Sequence, residues 1–291
     1  MDFVHLPVLA REVIEALAPH EGGIYADATV GLGGHSEMVL SKIGQNGRVV
    51  GMDRDEKALE LTASRLDDRR LLLRKSPFSQ IERSLREEGI TEVDGVLFDL
   101  GVSMMQLRDH ARGFSFQSSE RLDMRMDRSQ PVSAWEIVNN FSETELAEMI
   151  REYGEEYRAS RVARAIVNAR AAGSIDTCSD LENIVFRALG RHGRIHPATK
   201  TFQALRIAVN NELGELTAGL AAAAGILKKG GRLCVISYHS LEDRIVKHFI
   251  REGSKSGMLR PLTKKPVVPS AEEMKHNPSS RSAKLRGAEK I

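Results

Sequence analysis

Cysteine, tryptophan and long apolar runs are scarce in this chain, and each scarcity excludes something. Two cysteines, Cys178 and Cys234, in 291 residues make neither a disulfide framework nor a metal-ligand spacing. They fit a reducing compartment. The longest apolar stretch, around Leu220–Leu227, is too short to span a bilayer. The opening MDFVHLPVLA is too mixed for a secretory signal. A soluble, cytoplasmic protein without membrane association is expected. A surplus of one charge is also missing: 42 Lys and Arg face 40 Asp and Glu, for a net charge of +2. Overall charge therefore announces no nucleic-acid partner. Its distribution is uneven, however, with +6 over residues 251–291 and −4 over the rest. A basic end of this kind attracts polyanions or serves as a solvated tail, and charge alone does not choose.

What is present points to an α/β protein with a packed core. Hydrophobic residues make up 41% of the chain and charged residues 28%, ordinary values for a globular fold. The first hundred residues alternate strand and helix patterns. Strands are expected at Ile24–Val30, Arg48–Asp53, Arg70–Arg74 and Val93–Leu100. Helices are expected at Arg11–Ala18, His35–Ile43, Glu56–Leu66 and Pro77–Glu88. Such alternation argues for a parallel sheet with right-handed crossovers. From Gln106 to His196 the strand pattern disappears. Capping-box signals at Ser142–Glu145 and Ser179–Glu182 open helices there, and Arg158–Ala172 reads as another. A helical domain over 106–196 is thus expected inside an α/β domain formed by 1–105 and 197–291. The α/β pattern resumes with one long helix, Thr199–Leu227, ended by Gly230-Gly231. A strand at Arg232–Tyr238 and a helix at Leu241–Arg251 follow. The proline-bearing tail has room for a β-hairpin.

The first strand runs into Asp27-Ala-Thr-Val-Gly31-Leu-Gly33-Gly34-His35. Its glycines permit a tight turn and a close backbone approach to a ligand at a helix start. The second strand ends about twenty residues later at Asp53, where an acid can accept both hydroxyls of a ribose. Asp53 can equally cap the next helix, a role Asp55 is also placed to fill. The fingerprint of dinucleotide sites wants a third glycine where this chain has Ser36, so a nicotinamide cofactor fits poorly. No phosphate-binding G-x-x-x-x-G-K-[ST] run occurs. S-adenosylmethionine, which carries no phosphate, suits the turn and Asp53 better. Asp99 closes the fourth strand, at the edge where ligands of open α/β sheets bind. A carboxylate there can accept a hydrogen bond from an exocyclic amino group and orient its lone pair, or it is simply a solvated loop acid. Phe78 is placed either to stack on an adenine or to pack in the core.

These residues and several longer runs carry a resemblance. They are HLPVL at His5–Leu9, DATVGLGGHS at Asp27–Ser36, DRD at Asp53–Asp55 and FDLGVSMMQL at Phe98–Leu107. RGFSF at Arg112–Phe116, LDMRM at Leu122–Met126 and HPATKTFQALRIAVNNEL at His196–Leu213 follow. SYHSLEDRIVK at Ser237–Lys247 and NPSSRSAKLR at Asn277–Arg286 complete the set. Over nearly its whole length the chain resembles the ribosomal RNA small-subunit methyltransferase H family, also called MraW. The resemblance implies a class I, Rossmann-like methyltransferase with a mostly parallel doubly wound sheet and an inserted helical substrate-recognition domain. It implies S-adenosyl-L-methionine as cofactor and methylation of the exocyclic N4 of a cytosine in the decoding region of small-subunit (16S) ribosomal RNA. The RNA partner is expected within an assembled or nearly assembled small subunit, and a homodimer is left open. By the same resemblance the cofactor contacts fall on Gly33, Gly34, His35, Asp53, Phe78, Asp99 and Gln106, with Asp99 also the catalytic candidate. No metal is called for.

One departure stands out. Many amino-methylating enzymes of DNA follow the fourth strand with a proline pair and an aromatic that hold the flipped base. Here the loop is Asp99-Leu-Gly-Val102, so a stacking ring must come from elsewhere. Phe114, Phe116 and Tyr238 are candidates, each equally readable as core. To reach a sulfonium methyl the base must leave its stack or come from single-stranded RNA. Arg158, Arg161 and Arg164, then Arg187, Arg191 and Arg194, suit phosphate contact through their planar fork, or form a solvated face balanced by Glu155 and Glu156. His192 and His196 are four apart, but without further ligands they make a poor metal pair. His239 and Glu242 lie beyond the fifth strand, where either a chemical or a structural role is open.

Overall fold

The computed structural model describes residues 7–116, 118–191 and 196–291. His5, His192 and Arg194, singled out above, lie outside them. In chain order the elements begin with α1 (Ala10–Leu17), β1 (Ile24–Asp27), α2 (Gly34–Leu40), β2 (Arg48–Asp53) and α3 (Glu56–Arg65). Next come β3 (Leu71–Lys75), α4 (Ile81–Glu87) and β4 (Val93–Asp99). Six helices follow: α5 (Met104–Arg108), α6 (Ala134–Asn140), α7 (Glu143–Gly154), α8 (Ala159–Arg170), α9 (Cys178–Leu189) and α10 (Thr199–Asn210). The chain ends with α11 (Glu212–Ile226), β5 (Leu227–Ser237), α12 (Ser240–Lys255), β6 (Leu259–Pro261), α13 (Ala271–His276) and β7 (Lys284–Lys290).

Two compact units emerge. One runs to Gly101 and resumes at Leu213; the other is Val102–Glu212. The first holds a seven-stranded sheet in the order β3-β2-β1-β4-β5-β7-β6. Strands β1 to β5 are mutually parallel, and β7 joins antiparallel to both β5 and β6. This is the mostly parallel, doubly wound sheet expected. The tail does supply paired strands, although α13 separates β6 from β7. Both faces of the sheet are covered. Val50, Met52, Val96, Phe98 and Val235 pack on one side with Ile81, Leu85, Leu216 and Leu220 from α4 and α11. Val49, Leu97, Cys234 and Ile236 pack on the other with Val13, Leu17, Val39 and Leu40 from α1 and α2. Because strand side chains alternate in direction, one apolar strand feeds two cores, so each central strand reads as nearly continuously hydrophobic.

The second unit is helical and has a core of its own, from Phe114, Leu122 and Met124 through Leu146, Ile150, Val162, Ile166 and Leu181 to Phe202 and Leu205. Its bounds differ from the expected 106 and 196, most at the C-terminal end. The reason is α10, whose Phe202, Ala204 and Leu205 are buried in this core. The expected single helix Thr199–Leu227 is in fact two. Asn211 adopts a left-handed conformation (φ 48°) and caps α10, and α11 begins at the next residue. Asparagine tolerates that conformation better than most residues, but a helical periodicity that continues across it conceals the break. The Gly230-Gly231 pair is not a helix end either. The helix stops at Ile226, and the glycines lie inside β5 beside a register irregularity opposite Val93 and Gly95. The capping box at Ser142 and Glu145 forms as expected. That of α9 is Thr177 with Asp180, set slightly earlier in the chain than Ser179 with Glu182.

Candidate functional site

Three adjacent parallel strands each end in aspartate: β1 in Asp27, β2 in Asp53 and β4 in Asp99. Strand order reverses about β1, which pairs with β2 on one side and β4 on the other. The crevice of a doubly wound sheet opens at such a switch point, beyond the carboxyl ends.

The glycine turn is built onto these acids. Asp27 is buried; its carboxylate accepts the Ser36 hydroxyl at 2.7 Å and the Thr29 amide at 3.2 Å. Burial pushes its pKa up, against the opposing pull of the Ser36 hydrogen bond and His35. Asp53 accepts the Gly31 amide at 3.0 Å and the Asp55 amide at 2.9 Å. It is not the cap of α3; that role belongs to Asp55, which accepts from the Lys57 amide. Desolvation raises the Asp53 carboxyl to about 6, with its two backbone donors working the other way and the neighbouring Asp55 and Asp27 adding to the rise. The turn is further tied by the Thr62 hydroxyl to the Gly31 carbonyl (2.7 Å) and by the Gly33 amide to the Val30 carbonyl (2.7 Å). Gly33, at φ +78°, leaves no room for a side chain: a Cβ would meet Leu66 at 2.7 Å and Thr62 at 2.8 Å. Gly31 and Gly33 thus spend their amides inside the turn, unlike the free amides that cradle a pyrophosphate.

Asp99 is fixed from several sides. Its amide donates to the Thr29 hydroxyl (2.6 Å), and Tyr238 donates its hydroxyl to Oδ1 at 2.8 Å. His35 Nε2 lies 3.5 Å from Oδ2. His35 is 5% exposed, and neither ring nitrogen has a hydrogen-bond partner among the described residues. Burial and the negative charge of Asp99 push the Tyr238 hydroxyl far above its ordinary pKa, so it remains a donor. Phe78 is half-buried, edge-on to Phe98 with centroids 5.7 Å apart. Gly219 on α11 makes way for it, since a Cβ there would meet the Phe78 ring at 2.9 Å.

Of the seven residues put forward for the cofactor, the first unit contains Gly33, Gly34, His35, Asp53, Phe78 and Asp99. Gln106 belongs to the helical unit, where it is buried and its side-chain oxygen accepts the Ser103 amide in the capping box of α5. Sequence reasoning missed Tyr238 as the holder of Asp99. The parallel register of β4 and β5, which sets Asp99 beside Ile236, brings the residue two further along to Asp99, but a register is not visible in one strand. Of the ring candidates, Phe114 is 8% exposed in the helical core, Phe116 stacks on His196, and Tyr238 has its hydroxyl committed. His239 caps α12: its Nδ1 accepts the Glu242 amide, and Glu242 accepts the amides of Tyr238 and His239. The basic tail is partly structural too, with Lys284 and Arg286 paired to Asp243 and Arg260 to Glu289.

Comparison with known proteins gives one consistent result. The profile of the MraW methylase family matches residues 2–291. A protein from Sorangium cellulosum named ribosomal RNA small subunit methyltransferase H is 50% identical over 291 residues, covering 99% of this chain and 91% of that protein. A protein of the same name from Sulfurihydrogenibium is 47% identical over 292 residues, with 99% of both chains covered.

Proposed function

The chain belongs to the MraW methylase family, and from that premise we propose that it methylates small-subunit ribosomal RNA at the exocyclic N4 of a cytosine, using S-adenosyl-L-methionine. The observation that carries the reading is the convergence of Asp27, Asp53 and Asp99 at three neighbouring strand tips. Three carboxylates repel a pyrophosphate and attract the sulfonium and ammonium of S-adenosylmethionine. Bound there, the cofactor supplies an electrophilic methyl group.

The chain's own residues divide the remaining work. Asp53, aimed by the Gly31 and Asp55 amides, accepts the ribose hydroxyls. Gly33, Gly34 and His35 form the floor of the turn, and Phe78 offers its half-exposed ring to the adenine. Asp99 accepts an N–H of the target amino group. That group is a poor nucleophile because its lone pair is delocalised into the ring, and a hydrogen bond to N–H turns the lone pair toward the methyl carbon. Tyr238 occupies Oδ1, leaving Oδ2 as the acceptor. The methylated nitrogen is acidic enough to lose its proton to solvent, so no dedicated base is required. The helical unit is the substrate-recognition part in this reading. A ribosomal substrate goes with a cytoplasmic location, and no described helix is long and apolar enough to cross a membrane.

The test is methyl transfer from labelled S-adenosylmethionine to small subunits lacking the modification, alongside naked ribosomal RNA. Assembled subunits are expected to be the better substrate. Asp53→Ala should weaken cofactor binding, and Asp99→Ala should abolish transfer while the fold persists. Normal rates in both variants would show that the site lies elsewhere. Light scattering of the purified protein reports whether it is a homodimer.

A further inference from the structure

The helical unit carries an aromatic and basic end that the strand-tip pocket does not use. Its rings form a series running from core to surface. Phe202, 5% exposed, meets Phe116 edge-on at 5.9 Å. Phe116 lies nearly parallel to His196, 4.6 Å between centroids at 9°. His196 in turn lies against Phe186 at 6.1 Å and 24°. His196 is held in place: its Nδ1 accepts the Ala198 amide, and its Nε2 faces Glu182 at 3.1 Å. Phe186, the outermost ring, is 39% exposed.

The arginines sort into two groups around this series. Some are structural. Arg158 donates to the Leu189 carbonyl at 3.1 Å, tying the start of α8 to the end of α9. Arg164 pairs with Glu143, and Arg170 donates to the carbonyls of Val138 and Phe141. Arg161, Arg187 and Arg191 are exposed and have no carboxylate partner among the described residues. The tie from Arg158 also brings Tyr157, 79% exposed with the Arg158 guanidinium 5.2 Å over its ring, to the same end of the unit as Phe186 and Arg191. Nearby acids are already engaged, Glu156 by Arg158 and Glu182 by His196.

We propose that this end of the helical unit is a docking edge for single-stranded RNA, with an unpaired base stacked on Phe186 and flanking phosphates met by Arg187 and Arg191. Tyr157 and Arg161 continue the track. Open aromatic faces beside unpaired guanidinium groups are what single strands require, because every base has a π-face and every nucleotide a phosphate. The arginine fork suits phosphate oxygens. The inference rests on the reading of the chain as an RNA methyltransferase and assigns the contact that holds the strand outside the reacting base.

The probe is fluorescein-labelled dodecauridine, titrated by anisotropy with the full-length protein at several salt concentrations. Wild type should bind, and more weakly as salt rises. Arg187→Gln with Arg191→Gln should flatten the slope of log K against log salt by about 1.4, at roughly 0.7 per phosphate contact. Phe186→Leu should weaken binding about tenfold and leave the slope unchanged, because stacking is not ionic. Both variants should keep the wild-type affinity for S-adenosylhomocysteine, which also reports that they are folded. Absent binding by wild type, or variants that bind as wild type does, would overturn the docking edge. So would variants that bind the oligonucleotide normally but lose small subunits, since that pattern assigns the edge to a ribosomal protein. Methyl transfer to small subunits by wild type, measured in parallel, separates the cases: its absence sinks the functional reading, whereas its presence beside unaffected variants sinks this edge alone.

Discussion

The ribose-binding role proposed for Asp53 predicts that cofactor affinity depends on pH, in a direction set by the desolvation of its carboxyl. Its carboxyl is raised to about 6, chiefly by desolvation. The ionised form is the better acceptor for two ribose hydroxyls, so affinity follows the ionised fraction. With a pKa of about 6 that fraction is about nine-tenths near pH 7 and about one-tenth near pH 5, and the tenfold difference corresponds to about 1.4 kcal/mol of binding. Affinity for S-adenosylhomocysteine should therefore fall about tenfold as pH drops from about 7 to about 5. Isothermal titration calorimetry measures this directly. Asp53→Asn removes the titration of this carboxyl, so the variant's curve should be the flatter of the two over this range. Parallel curves would refute the assignment.

The same raised pKa acts on folding with the opposite sign. In the unfolded chain the carboxyl releases its proton near about 3.9, whereas the folded protein holds it until about 6. Between those values the folded state binds more protons, so the contribution of this group to stability falls as pH rises. The gap between the folded and unfolded values corresponds to at most about 3 kcal/mol. Asparagine removes the buried charge but leaves the Gly31 and Asp55 amides one acceptor oxygen instead of two, which costs about 1 kcal/mol. Asp53→Asn should thus stabilise the ligand-free protein by about 2 kcal/mol near pH 7 and give no gain near pH 4, as read from urea unfolding at both pH values. A variant that is less stable at neutral pH would show that the hydrogen bonds outweigh the charge.

Gly219→Ala should push the Phe78 ring aside, because its Cβ would sit 2.9 Å from that ring; S-adenosylhomocysteine affinity should fall severalfold with little loss of thermal stability, and unchanged calorimetry would remove Phe78 from the pocket. Tyr238→Phe frees Oδ1 of Asp99. It should lower kcat for subunit methylation more than it changes cofactor affinity, with equal loss in both counting against a positioning role. Asn210 bridges the helical core, accepting the Met126 amide and donating to the Met124 carbonyl, each at 2.8 Å. Asn210→Leu leaves both buried groups unpaired and should cost about 2–4 kcal/mol in urea unfolding; a loss below about 1 kcal/mol would mean that water replaces the bonds.

What the sequence disclosed and what it hid follow from the range of the forces involved. The glycine turn and the strand-tip positions of Asp53 and Asp99 are legible because each strand's periodicity runs directly into the acid or the turn that ends it. The parallel sheet was legible for the same reason: each strand carries a two-sided apolar signature. The break at Asn211 was not, since one left-handed residue interrupts neither the apolar stripe before it nor the one after it. Nor was the role of Asp27, whose bonds to Thr29 and Ser36 resemble any strand-end acid until burial is known. Tyr238 reads in the sequence as a candidate ring, whereas the structure engages its hydroxyl with Asp99, because the register of β4 against β5, joining residues 139 apart in sequence, decides which end of the side chain meets that acid. The arginines show the same limit from the other side. Spacing set Arg158, Arg161 and Arg164 on one footing, yet Arg158 and Arg164 are spent on Leu189 and Glu143 and Arg161 is not. Which cations remain for a polyanion is therefore set by the tertiary partners of their neighbours, and a charge count read from the chain overstates the number available to RNA.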